Sequence, residues 1–564
     1  MADDELPPPD DALRPDAPEP DATENGAMEP SPARDGDSTN GPVEETAVPA
    51  SVSSAEEEPT AAPPRPARSR SIGRTVTVVS LRIVRGLVGL AAAAAVVAAV
   101  GLVPLPTLGV EPLGTLVEPE PADLLTVCPG ALLRLGDDTG ANAGQVFPVG
   151  TPDVTVASTP GAAQRSELTG GDAAGSSARQ APSALRAPSS DGAVLSAAQQ
   201  QTPDGEGGLN GLAAASCVAP TSSAWFVGGA TTVGRTSILH LVNPTEVNAD
   251  VSIELWGEAG IVRAPGMSGI TVPAGGRVAL PLSGFAPDLA SPVVHVEARG
   301  GQVAAWLQTS VIRVLDPGGV DLVSAGAAPA KDVVIPGVRI LGATAVASSL
   351  GIEGYDDLQA VVRVGNPGEE TAHVEVSLTP ATADGVPTSF EITVAGGEVS
   401  DTLLSSALEL GEAPLPDGAY AVSVRSDVPV VAGARLSTIV DPTPDADGGL
   451  APGAADLAWF ASASPVRADA ALAVADAPSP MLVASAVDGT AHTLTLTGLG
   501  DADDITVEVP ATGSVAVELP RDAAFLVRKA AGVVAGVSFA GAGELASYPV
   551  TAPRAGDTPL VVRP

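Results

Sequence analysis

The chain has 564 residues, a formal net charge of −39, and only 2% aromatic residues against 45% hydrophobic ones. That length admits three or four domains. The charge excludes ordinary nucleic-acid binding, which needs clustered lysine and arginine, and any core must be built from alanine, valine and leucine.

Residues 1–64 carry 17 acidic side chains against Arg14 and Arg34, with recurrent proline and no aromatic residue. Such a segment buries too little apolar surface to offset its ordering entropy, so a disordered acidic tail is expected there, a solvated spacer or an interaction tail. The charge then reverses. Residues 65–85 hold Arg65, Arg68, Arg70, Arg74, Arg82 and Arg85 and no acid.

Gly86 to Val103 is an uncharged apolar run that a helix would stretch to about 27 Å, enough to cross a bilayer core. With Glu111, Glu118, Glu120 and Asp123 on its far side, the positive-inside rule places the N-terminus in the cytoplasm. A cleavable signal peptide is the competing reading, but the lead before the run is too long for one. Residues 86–105 are therefore expected to be an uncleaved signal anchor, with everything beyond it outside the cell.

Residues 106–135 read as a proline-marked neck and a first exterior strand ending at Cys128-Pro129-Gly130. Residues 136–210, rich in Ala, Gly, Ser and Gln without periodicity, read as a disordered loop. Cys128 and Cys217 are the only cysteines, and an even count in an oxidising compartment points to one disulfide.

From Trp225 a weak repeat occurs three times. SILHLVNP ending at Pro244 matches AVVRVGNP ending at Pro367, and the two Asn-Pro turns lie a domain length apart. Val251, Ile253 and Leu255 alternate with polar residues, as do Val374, Val376 and Leu378, and Leu494 and Leu496. Period-two patterning with Gly/Pro punctuation predicts a mostly β exterior of tandem immunoglobulin-like β-sandwich modules. Their expected bounds are 211–330, 331–450 and 451–564. One compact assembly with pseudo-threefold symmetry is the alternative architecture.

Chemistry is sparse. His240, His295, His373 and His492 lack ligand spacing, and no serine elbow, HExxH or P-loop occurs. Asp501, Asp503 and Asp504, and the stretch Asp441 to Asp447, do not fit an EF-hand and read as solvated loops. No metal or cofactor is expected. Trp225 and Trp459 stand at what look like equivalent module starts, and Trp306 reads as core. Trp256 shares the parity of Ser252 and Glu254, away from the first core. It serves either as an inter-module contact, the preferred reading, or as an exposed binding anchor.

The CPG run at Cys128, WFVGGATTVGRT from Trp225, the LVNP turn and VPAGGRVALPL from Val272 resemble an actinobacterial family of single-pass, membrane-anchored secreted proteins. The family is a domain of unknown function sometimes labelled large extracellular protein. The resemblance runs from about Thr126 to the C-terminus. It implies a place in the cell envelope and carries no catalytic residues.

The expected function is non-enzymatic: a protein–protein scaffold in envelope assembly or secretion. Its partners would be the membrane and envelope proteins or cell-wall glycan. The alternative is a glycan-binding accessory protein for wall polysaccharide export or assembly. A hydrolase using Asp356 and Asp357 ranks third, because adjacent residues point apart.

Overall fold

A strand that alternates valine with polar residues has one dry face and one wet one, so each such strand needs a second sheet to cover it. The computed structural model describes residues 115–117, 123–136, 144–551 and 560–562, with short breaks at 191, 204, 383, 409–413, 445–449 and 467–468. The chain is mostly β. Among the described residues no helix is long and apolar enough to cross a membrane. The acidic tail, the arginines from Arg65 to Arg85 and the 86–105 segment lie outside the described residues.

In the first copy Ser223–Val227, Val293–Arg299 and Ala249–Gly257 form one sheet, with Gly260–Val262 and Ile270–Val272 along the far side of Ala249–Gly257. The second sheet runs Asp316–Val323, Ala304–Arg313, Arg235–Asn243, Gly276–Pro281. Val251, Ile253, Leu255, Val294 and Val296 from one sheet meet Leu239, Leu241, Ala305 and Leu307 from the other. The expected alternation therefore holds.

The second copy repeats this connectivity with one economy. Gly418–Ile439 is a single 22-residue strand. Its first half pairs with Ala330–Ile340 and Ala372–Pro380, its second half with Val361–Gly365 and Ala455–Ala461. The first copy breaks at the corresponding place, where Gly300 adopts a positive φ of 76°. The second has Ser426-Asp427-Val428 there and runs on. In the third copy Ala470–Val474, Ala523–Arg528, His492–Leu499 and Ile505–Val509 form one sheet. Ser514–Glu518, Met481–Ala486, Val533–Gly541 and Glu544–Pro549 form the other.

Three sequence expectations change. First, an immunoglobulin domain pairs its opening strand with the second strand and its closing strand with the sixth. Here the opening strand Ser223–Val227 pairs with Val293–Arg299 and not with Arg235–Asn243, whose neighbours are Gly276–Pro281 and Ala304–Arg313, so the opening strand has changed sheets. Alternation fixes which face of a strand is buried, not which neighbour it takes, and the sequence could not distinguish the two orders.

Second, the boundary drawn at 451 moves, because Ala455–Ala461 closes the second copy and the third opens at Ala470. Trp459 is thus not the counterpart of Trp225.

Third, much of the expected loop at 136–210 is folded, although residues 137–143 lie outside the described residues. Asp153–Thr159, Val194–Gln201 and Ala213–Ser216 form one sheet, and Leu124–Cys128, Ser183–Ala187 and Gln164–Glu167 another. Its hydrophobic signal is weak because many of the buried positions are alanines, among them Ala157, Ala184, Ala197, Ala198 and Ala213 to Ala215. Small side chains bury little area each but let the sheets approach closely.

Buried glutamines act as surrogate backbone in this region. Gln199 exchanges two bonds with Gly130, Gln308 exchanges two with Leu133, and Gln201 bridges the Leu132 amide and the Val149 carbonyl. Cys128 and Cys217 are disulfide-bonded, with Cα atoms 4.4 Å apart, as the cysteine count implied.

The parts are not beads on a string. Asp316–Val323 lies against Ala455–Ala461, which lies against Glu544–Pro549; that strand lies against Ala213–Ser216, which returns to Asp316–Val323. At this meeting point the fully buried Asp456 carboxylate accepts four backbone amides. Oδ2 takes Leu212 and Leu545 at 2.8 Å each; Oδ1 takes Leu457 at 2.9 Å and Val320 at 3.2 Å. One side chain therefore ties the N-terminal region and all three copies together. Burial pushes its pKa well above the ordinary carboxylate range, and the four amides oppose that shift.

Candidate functional site

Cross-strand register places Trp225, His295 and Glu254 in one row across the outer face of the first copy's sheet, with Trp256 two residues from Glu254 on the same face. Trp225 stacks on His295 with ring centroids 4.2 Å apart and planes 12° apart, and on Trp256 at 5.3 Å and 24°. Beneath this platform Trp256, 6% exposed, packs with Val227 and Val293 of the first copy and Val399 and Val431 of the second. Trp256 is thus an inter-module contact, and its reading as an exposed anchor is corrected. Trp225, only partly buried, is the ring that faces outward.

The second copy supplies the opposite wall. Its Asn-Pro turn is built by Asn366, whose Nδ2 donates to the Glu370 and Val394 carbonyls and whose Oδ1 accepts from Gly368 N–H. Asn243 makes the same bonds to Val247, Val272 and Thr245 in the first copy. The repeated Asn-Pro motif is therefore a side-chain-braced turn. The turn at Asn366 presents Pro367, Gly368, Glu369 and Glu370 toward the aromatic platform. With Pro329, Val428 and Pro429 they enclose an open cleft of about 540 Å³.

Buried arginines fix the walls. Arg363 grips Asp401 through two bonds of 2.7 and 2.8 Å, donates to the carbonyls of Gly229, Ala290 and Pro292 of the first copy, and lies 4.4 Å over the Trp459 ring. Asp357 of the second copy holds Arg313 and Arg235 of the first. Burial works against the Asp357 charge, but Arg313, with Arg235 and Arg435, holds its carboxyl below the usual range. This occupation accounts for Asp357. Paired with guanidinium groups, it is not poised to act with Asp356 as a hydrolase acid–base pair.

One hydrogen-bonded chain resembles a catalytic relay. Ser223 Oγ lies 2.9 Å from His295 Nε2, and His295 Nδ1 lies 2.9 Å from Glu254 Oε2. In the tautomer that carries its proton on Nδ1, that nitrogen donates to Glu254 and Nε2 accepts a hydrogen bond from the Ser223 hydroxyl. The order is that of an activated nucleophile, yet the setting differs. Ser223 is exposed on an edge strand, and its own N–H donates to Thr221 Oγ1. The chain of bonds does fix the imidazole plane against which Trp225 rests.

The other candidate residues lie apart. His240 is fully buried, and burial first, then Arg277, depresses its pKa to about 3. His373 lines a separate shallow hollow with Glu375, Glu391 and Arg425. His492 bonds Asp488 and Thr490. Trp306 is core, donating to the Ser216 carbonyl. Asp504 accepts the Gly498 amide. Among the described residues no three His, Cys, Asp or Glu side chains converge as a metal site requires. The stretch from Asp441 to Asp447 lies partly outside the described residues.

Residues 153–520 match the family of unknown function DUF5719. The chain belongs to that family. The DUF5719 match takes in the Ala-rich strands, the first two copies, the cleft and most of the third copy. No curated protein shows significant similarity to the chain. Among solved structures, similarity is found to the crystal structure of Thermotoga maritima 1070. The two are 19% identical over 24% of this chain and 93% of that one, with a TM-score of 0.16. The Anabaena sensory rhodopsin transducer is similar at 21% identity over 19% of this chain and 95% of that one, with a TM-score of 0.15. Likeness at these scores carries no argument here.

Proposed function

We propose that this member of DUF5719 is a non-enzymatic binding protein of the actinobacterial cell envelope, acting as a protein–protein scaffold in envelope assembly or secretion. It is held by a single span at residues 86–105, with the N-terminus cytoplasmic and the β body outside. The arginines from Arg65 to Arg85 before the span and the acids after it support that orientation, and an oxidising exterior suits the Cys128–Cys217 bond. The observation that carries the reading is the cleft. Two copies are locked by Arg363 and Asp357 so that an aromatic platform faces a braced turn, a preorganised surface for a partner.

A second reading is recognition of wall glycan, favoured by Trp225, whose ring could stack on a sugar. In-cell photo-crosslinking through a photoreactive phenylalanine analogue at position 428 separates the two. A reproducible protein adduct supports the scaffold; glycan alone supports the second reading. Absence of either adduct, with the protein folded and displayed, refutes binding at the cleft.

A further inference from the structure

We infer that the cleft recognises a cationic side chain, a lysine ammonium or an arginine guanidinium, carried by the partner protein. The inference deepens the scaffold reading and rests on it. Glu254, Glu369 and Glu370 all line the cleft, and no lysine or arginine does. Carboxylates gathered without a cation among them present only acceptors to a ligand. The His295 nitrogens, which could have donated, are engaged by Ser223 and Glu254. A ligand that brings donors and positive charge completes such a lining; a neutral one leaves the carboxylates without a counter-charge.

The remaining walls fit the rest of such a side chain. Trp225, the outward ring of the platform, offers an indole face, the strongest ring partner for a cation. Pro329, Pro367 and Pro429 have no N–H to satisfy, and with Val428 they give an apolar bed for the aliphatic stem of lysine or arginine. The buried arginines at the junction of the two copies are already committed. Arg363 is committed to Asp401 and to carbonyls of the first copy, and Arg313 and Arg235 to Asp357.

The test uses the full chain in detergent micelles at 150 mM salt, where long-range attraction to a −39 chain is largely screened. The probe is a fluorescent Pro-Arg-Pro peptide, with a citrulline peptide as its neutral isostere. The arginine peptide is expected to bind saturably and the citrulline peptide at least tenfold more weakly. Glu369→Gln with Glu370→Gln should weaken the arginine peptide at least tenfold. Asp501→Asn with Asp503→Asn, which removes the same charge from an exposed loop of the third copy, should change it less than twofold.

Equal binding of the two peptides, or equal weakening by both double variants, overturns the inference. Failure of both peptides to bind, while position 428 still crosslinks a protein in cells, overturns the cationic ligand and leaves the scaffold standing.

Discussion

Replacing Asp456 with asparagine tests whether one buried carboxylate holds the β body together. The native group has four acceptor directions, and N–H donors from Leu212, Val320, Leu457 and Leu545 fill all of them. An asparagine keeps one oxygen and turns an NH₂ toward the other two amides, so two buried N–H groups lose their acceptor and face a donor. Each unsatisfied buried group costs about 1–3 kcal/mol, giving a loss of about 2–6 kcal/mol. The surroundings cannot yield to accommodate the change. Gly211 and Gly319 both approach the carboxylate so closely that a Cβ at either position would meet it.

Urea unfolding of the full chain, followed by tryptophan fluorescence and limited proteolysis, measures the loss. Because Asp456 touches every part, all parts should become protease-sensitive together. A loss below about 1 kcal/mol, or loosening confined to the second copy, refutes the reasoning, since it would mean that the carboxylate is already neutral or that the junction does not depend on it.

Three further outcomes follow from the same structure. Burial pushes the Asp321 carboxyl up to about 8 from an ordinary 3.8. Its contribution to stability is therefore fully present below pH 3.8 and is lost as pH rises toward 8. Asp321→Asn, neutral throughout and still able to accept from Trp459 N–H, should flatten the fall in urea midpoint between pH 5 and 8; an unchanged slope would contradict this. Arg363→Lys removes the bidentate grip on Asp401 and several carbonyl contacts. Discounted for the 28% exposure of the Asp401 side chain, it should cost about 2–4 kcal/mol and speed amide exchange around Gly229; unchanged exchange there argues against the clamp. Cys128→Ser opens a loop with a sequence separation of 89 residues and should cost about 2–5 kcal/mol. Early proteolysis between residues 124 and 217 would show it, and identical digestion with the wild type would count against it.

Much of the fold could be read in the sequence because two signals are local. Alternation at Val251, Ile253 and Leu255 marks a half-buried strand wherever it occurs, and the Asn-Pro turns at Asn243 and Asn366 are braced by their own side chains. What could not be read is non-local. The partner of the opening strand Ser223–Val227 depends on which sheet the chain enters first. The Ala-rich region folds through close approach and glutamine bridges to Gly130, Leu132 and Leu133, contacts that leave no periodic trace. For the site, parity placed Trp256 on the outer face and so reached the junction between copies. It could not show that Trp225 would cover it, because Trp225 reaches Trp256 across the intervening strand that carries His295.

The repeat itself separates what builds the fold from what builds the cleft. Aligning the copies on their turns and strand registers, Asn243 corresponds to Asn366 and Asp488, and each accepts an amide two residues on. Val251 corresponds to Val374 and Leu496, each pairing with the isoleucine that opens an ITV segment: Ile270, Ile392 and Ile505. These positions recur because every copy needs a braced turn and a dry face. The platform does not recur. Trp225, His295, Glu254 and Trp256 correspond to Val334, Ser423, Ser377 and Thr379 in the second copy, and to Ala473, Ala524, Leu499 and Asp501 in the third. In the third copy small residues suit a face covered by the N-terminal region, whose Ala157, Val194 and Ala198 pack into the same core as Ala473. Only the first copy places two indoles and a bonded imidazole–carboxylate pair on its outer face. Nothing in the shared architecture requires them there, since two other copies fold without them. Trp256 is held there by its packing on Val399 and Val431 of the second copy, whereas Trp225, His295 and Glu254 line the cleft; on the proposed binding role, substitutions at these three should alter binding in ways that substitutions at the equivalent positions of the other copies do not.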